Sequence, residues 1–134
     1  MGKNLNKLPE NYIEPKNNLS GSLDGTNLTI GIVCATFNQF ITKSLLMGSI
    51  ECLTSNHVKE TNIQTYFVPG AFEVPLIVNK IAPNVDAVIA IACVIQGDTP
   101  HFDYVCEGIT TGINNAITTH KKPIIYCVLT THTE

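Results

Sequence analysis

The stretch "ACVIQGDTPHFDYV", Ala92–Val105, changes character halfway along. Its first half completes the apolar run Val85–Ile95, which lacks polar alternation and reads as a strand covered on both faces. Its second half opens a helical pattern: Phe102, Val105, Cys106, Ile109, Ile113, Ala116 and Ile117 share one face, with Asp103, Glu107 and Asn114 opposite. Between the two lies a tight turn. Gly97 permits a sharp bend, Thr99 can cap the helix through its hydroxyl, and Pro100 suits the first helical position. A buried strand turning at once into an amphipathic helix is half of a βαβ unit.

Working outward, the same alternation recurs on both sides. Leu28–Cys34, Ile63–Val68 and Pro123–Leu129 read as further strands. Gln39 to about Val58, with Leu46, Ile50 and Leu53 at helical spacing, and Phe72–Ile81, with Pro75 in its first turn, read as helices. Right-handed crossovers then predict the class: α/β, a three-layer sandwich with a flavodoxin-like parallel sheet and helices on both faces. The final C-terminal helix of such a fold is expected to be missing, because Glu134 directly follows the last strand. Residues 1–25, rich in Asn, Lys, Pro, Gly and Ser, read as a polar N-terminal arm and residues 26–134 as one α/β domain.

Composition narrows the function. The chain has 134 residues, 44% hydrophobic and 14% charged, an apolar excess that suggests a buried sheet or a large subunit interface. A net charge of -3 without a basic stripe argues against nucleic acid, and no polybasic patch or long apolar span argues for a membrane partner. All eight basic residues other than histidine are lysine, so no guanidinium clamp is available to an anion. Cys34, Cys52, Cys93, Cys106 and Cys127 lack a C-x-x-C spacing and read as buried free thiols in a reducing compartment. With no apolar signal segment at the N-terminus, the expected location is cytoplasmic.

In an open parallel sheet the ligand crevice lies beyond the carboxyl ends of the strands, which here read "ATFNQF", "VPGAFEVP", "IQGDTPHFDY" and "LTTHTE". In the third, Asp98 and Thr99 present N–H groups at a helix N-terminus, a site for phosphate or carboxylate; an ordinary capped helix is the alternative. His101 stands beside it as a candidate proton shuttle, or as a plain surface residue. Gly70 lets a ligand approach the backbone, and Glu73 offers a carboxylate to hydroxyls or simply complements a helix dipole. Phe37 is a stacking platform for a flat heterocycle or a core residue. His57, His120 and His132 have no zinc spacing, and no metal is assigned.

Taken together, "GIVCATFNQFIT", "VPGAFEVP", "VIQGDTPHFDYVCEGITTGI" and "VLTTHTE", in that order, resemble the lumazine synthases from about Gly21 to Glu134. The resemblance implies a transferase of riboflavin biosynthesis that condenses 5-amino-6-(D-ribitylamino)uracil with 3,4-dihydroxy-2-butanone 4-phosphate. Its product is 6,7-dimethyl-8-ribityllumazine, with release of phosphate and water, via imine formation and phosphate elimination without any cofactor. It implies that Phe37 stacks on the pyrimidine, that Ala71, Phe72 and Glu73 line the ribityl and pyrimidine pocket, and that Cys93, Val94 and Ile95 read the uracil edge through the backbone. Asp98 and Thr99 would hold phosphate, His101 would be catalytic, and Tyr126 stands where the family places an aromatic reaching a neighbouring subunit's site. It further implies a homopentamer or a 60-subunit shell.

Two departures accompany it. Gln96 replaces the family's usual basic residue before the turn glycine, and the family's later arginine and lysine for phosphate lie beyond where this chain ends. Loss of one charge-assisted phosphate contact weakens binding by ~1.5 to 3 kcal/mol, so reduced activity is expected, with a non-catalytic lumazine or flavin binder as the alternative.

Overall fold

The structure, a computed structural model, describes residues 4–134. Four parallel strands, β1 (Ile30–Ala35), β2 (Ile63–Val68), β3 (Ala87–Ile95) and β4 (Ile124–Thr131), form one sheet in the order β2-β1-β3-β4. Three helices, α1 (Gln39–Ser55), α2 (Val74–Ile81) and α3 (His101–His120), connect them. This is the three-layer α/β arrangement the alternation predicts.

The alternating direction of strand side chains sorts the core into two clusters. On one face Ile30, Ile32, Cys34 and Ile91 meet Leu46 of α1. On the other, Val33, Ala35, Val88, Ala90 and Ala92 meet Val74 and Val78 of α2 and Ile109, Ile113 and Ala116 of α3. Each such aliphatic side chain contributes ~1.5–3 kcal/mol on full burial, which selects this register over one slipped by a residue. Small residues set the layer spacing. A Cβ on Gly31 would lie 2.6 Å from Ile81 Cδ1, and one on Gly112 would lie 2.5 Å from Pro75 Cγ, so α2 is seated against backbone on both sides.

The strand order decides where a ligand can sit. After β1 the chain crosses to β2 on one side, and after β2 it crosses back past β1 to β3, so the loops leaving β1 and β3 part company. Their carboxyl ends frame the crevice at this switch point.

Several boundaries differ from the sequence expectation. β1 begins at Ile30 because Thr29 is occupied by Asp86, and β3 begins at Ala87 because Ala82–Asn84 form a 3-10 turn. α1 stops at Ser55, and His57 adopts φ 72 before Val58. Ala71–Glu73 form a 3-10 turn leading into α2, whose first turn accommodates Pro75. β4 runs from Ile124 to Thr131, later than expected, since Pro123 has no N–H for the ladder. The cysteines divide: Cys34 and Cys93 are buried, Cys106 and Cys127 are half-buried, and Cys52 is exposed on α1, contrary to expectation. Ile117, at the end of the apolar face of α3, is also exposed. Residues 4–29 carry neither helix nor strand, and Gly25 ties this stretch to the body through its N–H to Asn56 O, 2.6 Å.

Candidate active site

A cavity of ≈ 220 Å³ opens at the switch point, lined by Phe37 and Asn38 after β1, Gly70–Glu73 after β2, Cys93–Ile95 at the end of β3, and His101 and Val105 of α3. Three of the four strand-end loops converge there. The fourth, after β4, meets the cleft only at its rim, where Gln96 N–H continues the ladder to Thr131 O and the Gln96 side chain is hydrogen-bonded to His132 Nδ1.

Each wall has a local cause. The loop after β1 is pinned to the end of β2, because Thr36 N–H donates to Val68 O at 2.8 Å and Phe37 N–H to Pro69 O at 3.0 Å. That leaves the Phe37 ring 71% exposed beside the cavity rather than packed in the core, free to meet a ligand. Asn38 then turns the chain through φ 59, a left-handed conformation that asparagine tolerates better than most residues, and α1 begins. Its side chain donates to Cys93 O at 2.9 Å.

The second wall is the 3-10 turn Ala71–Glu73. Glu73 Oε2 accepts from Gly70 N–H at 3.1 Å, so the carboxylate orders its own turn and still faces the cavity. Phe72 projects past α3 at Gly108, where a Cβ would come within 2.6 Å of its ring. A glycine in the middle of a helix costs about 1 kcal/mol of propensity, and here it makes room for an aromatic that lines the cleft.

The third wall is the end of β3. The ladder with β1 stops at Cys34↔Ile91, whereas β3 continues to Ile95, leaving the β1-facing edge of Cys93–Ile95 without a strand partner. Burial raises the pKa of the Cys93 thiol, which therefore stays protonated near neutral pH and offers backbone groups rather than a thiolate.

The turn after β3 departs from the expected cap. Pro100 is the N-cap residue of α3, no side chain caps the helix, and the Thr99 hydroxyl is hydrogen-bonded to His101 Nδ1 instead. That bond orients the imidazole toward the cleft. Gly97, Asp98 and Thr99 are exposed, and none of their N–H groups donates to a backbone acceptor among the described residues. Asp98 and Thr99 lie next to the cavity rather than in its lining.

Tyr126 is elsewhere. It lies on β4 in a separate groove against α3, with its hydroxyl 3.0 Å from Thr110 Oγ1. Asn38 and Val105 are cleft residues that the sequence reading did not single out. For Asn38 a signal existed, an asparagine at the strand-to-helix junction where a left-handed residue is needed. For Val105 none did, since it reads as part of the apolar face of α3. Among the described residues no three histidine, cysteine or acidic side chains are grouped to hold a metal ion, and no helix is long and apolar enough to cross a membrane.

The family model and the curated relative point to the same family. Residues 27–134 match the profile of the 6,7-dimethyl-8-ribityllumazine synthase family. A curated protein named 6,7-dimethyl-8-ribityllumazine synthase, from Lactiplantibacillus plantarum, is 48% identical over 116 residues, covering 85% of this chain and 73% of that protein. Among solved structures, the ABC domain in complex with L-Trp from Streptococcus pneumonia overlaps 72% of this chain and 28% of its own, at 20% identity and a TM-score of 0.49.

Proposed function

The chain belongs to the 6,7-dimethyl-8-ribityllumazine synthase family, transferases of riboflavin biosynthesis, and on that premise we propose how its cleft divides the work between two substrates. The pyrimidine of 5-amino-6-ribitylaminouracil lies flat on Phe37, and its edge reads the end of β3 at Cys93, Val94 and Ile95, where the Cys93 N–H and the Ile95 backbone groups face away from β4 and have no strand partner. The ribityl chain passes Ala71 and Phe72 and reaches the Glu73 carboxylate. The phosphate of 3,4-dihydroxy-2-butanone 4-phosphate is held by the N–H groups of Asp98 and Thr99 at the N-terminus of α3, where the helix dipole favours an anion.

The 5-amino group attacks the ketone carbon, and the resulting carbinolamine loses water to an imine. Loss of the proton from the hydroxyl-bearing carbon beside the imine gives an enamine that expels phosphate from the next carbon. The resulting enol becomes a ketone, and attack of the ribitylamino nitrogen on that ketone with loss of a second water closes the ring to the lumazine. His101 moves protons at the amine and at the oxygen that leaves as water. Most of the rate comes from holding two reactants together, with proton transfer and phosphate neutralisation adding to it. The reading rests above all on one observation: a stacking aromatic, an open strand edge, a carboxylate and a histidine beside unpaired N–H groups all meet at the switch point of the sheet.

The assembly is a homo-oligomer, a pentamer or a 60-subunit shell of pentamers in the cytoplasm, with each cleft completed by the adjacent subunit. Small-molecule sites usually enclose ~300–1,000 Å³, more than this cavity holds, and Phe37 and Phe72 stay largely exposed along its open side. Tyr126, outside its own cleft, is available to that neighbour. Mixing the purified chain with both substrates and following lumazine fluorescence tests the proposal. Product formed above the uncatalysed rate by a sedimenting oligomer is the expected result. A folded chain that binds riboflavin or lumazine yet gives only the background rate would replace the enzyme with a binding protein.

A further inference from the structure

We infer that Asn38 is a positioning residue that sets the width of the pyrimidine slot, an inference that rests on the functional reading above. β1 ends at Ala35, and its ladder with β3 ends at Cys34↔Ile91, so nothing in the strand pairing fixes the distance between the loop that carries Phe37 and the exposed end of β3. On its other side that loop is held to β2 by the bonds from Thr36 and Phe37. The Asn38 side chain supplies the missing tie, donating to Cys93 O at 2.9 Å in a half-buried setting.

The position of Asn38 excludes the commoner explanation for such a residue. Asparagine at a helix N-cap ordinarily turns its side chain onto the first N–H groups of that helix. Here the backbone carbonyl of Asn38 accepts from Ile41 and Thr42, but the side chain makes no capping bond with α1. The left-handed backbone, φ 59 and ψ 45, directs it across the cleft instead. A flat ring stacked on Phe37 would contact β3 at Cys93–Ile95, and the amide of Asn38 spans that gap. Asn38 acts through Phe37 and Cys93, without touching the reacting atoms.

Two substitutions separate the amide from the turn. Asn38→Asp keeps the shape and the tolerance for a left-handed backbone but has no donor for the Cys93 carbonyl. Asn38→Gly adopts the same φ without strain but has no side chain. Both should weaken equilibrium binding of 6,7-dimethyl-8-ribityllumazine, followed by its fluorescence, and raise KM for the ribitylaminouracil by about tenfold, the cost of one well-made hydrogen bond. KM for the butanone phosphate and kcat at saturation should stay within about threefold of wild type, as for lost uniform binding of one substrate. Glycine that binds lumazine as tightly as asparagine would overturn the inference, leaving only the turn. Equal loss for both substrates would overturn it too, by showing general damage to the loop. A wild-type chain that neither binds nor forms the lumazine would bring down the functional reading, and this inference with it.

Discussion

The two halves of the cleft are built differently. The half where we propose that the pyrimidine lies is cut from the sheet itself, with β3 buried from Ala90 to Cys93, the Phe37 loop tied to β2, and Asn38 bridging the two. The half proposed to hold the phosphate is an exposed turn, Gln96–Pro100, held by two side-chain hydrogen bonds, Thr99 to His101 and Gln96 to His132. A strand end covered on both faces cannot shift without disturbing the core, whereas an exposed turn costs little to move. The contrast suits the chemistry proposed for the two halves. A heteroaromatic ring demands a slot of fixed width, and a phosphate is recognised by N–H groups that can close on it.

Substitutions can break this contrast or sharpen it. The largest effect belongs to His101→Ala, which should lower kcat by about 10²–10⁴-fold, the usual range for a lost general acid–base, with lumazine binding retained. A loss under tenfold would reduce the anion half to binding alone. Phe37→Ala should raise KM for the uracil by roughly 10–100-fold, from ~1–3 kcal/mol of base stacking, with KM for the butanone phosphate unchanged. An equal rise in both constants would erase the distinction between the halves.

His132→Ala removes an exposed bond to Gln96 and its ring contact with Phe102, whose centroid lies 5.8 Å away. KM for the phosphate substrate alone should rise, by about two- to fivefold on ~0.5–1 kcal/mol. No change there would show that the turn is held by its backbone.

The smallest effect serves as a control at the opposite end of the sheet. Asp86 accepts from Thr29 N–H at 2.8 Å and from its hydroxyl at 3.0 Å, which holds its carboxyl below the usual carboxylate range. A carboxyl lowered on folding contributes stability that is complete above its unfolded pKa and is lost as pH falls through the folded one. Asp86→Asn should leave kcat and both KM values unchanged. It should flatten the acid side of a plot of thermal midpoint against pH, and an unchanged plot would leave Asp86 without that role.

Much of the cleft lining was legible because its residues occupy strand ends. Phe37, Glu73 and His101 follow strands that periodicity alone locates, Cys93–Ile95 end one, and the switch-point rule brings those ends together. Thr99 was misread because a hydroxyl ahead of a helix has two partners within reach, the helix N–H groups and the His101 ring, and local sequence does not rank them. Tyr126 was assigned through resemblance. Its strand position puts it against Thr110, outside its own cleft.

The sequence by itself determined the alternation of strands and helices, the parallel class of the sheet and the loops that line the cleft, because hydrophobic periodicity and turn residues are local properties. Only the tertiary structure decided the order β2-β1-β3-β4, the early end of the β1–β3 ladder and the bond from Asn38 to Cys93 O, 55 residues apart. These depend on which strand lies beside which, and packing of the whole core settles that.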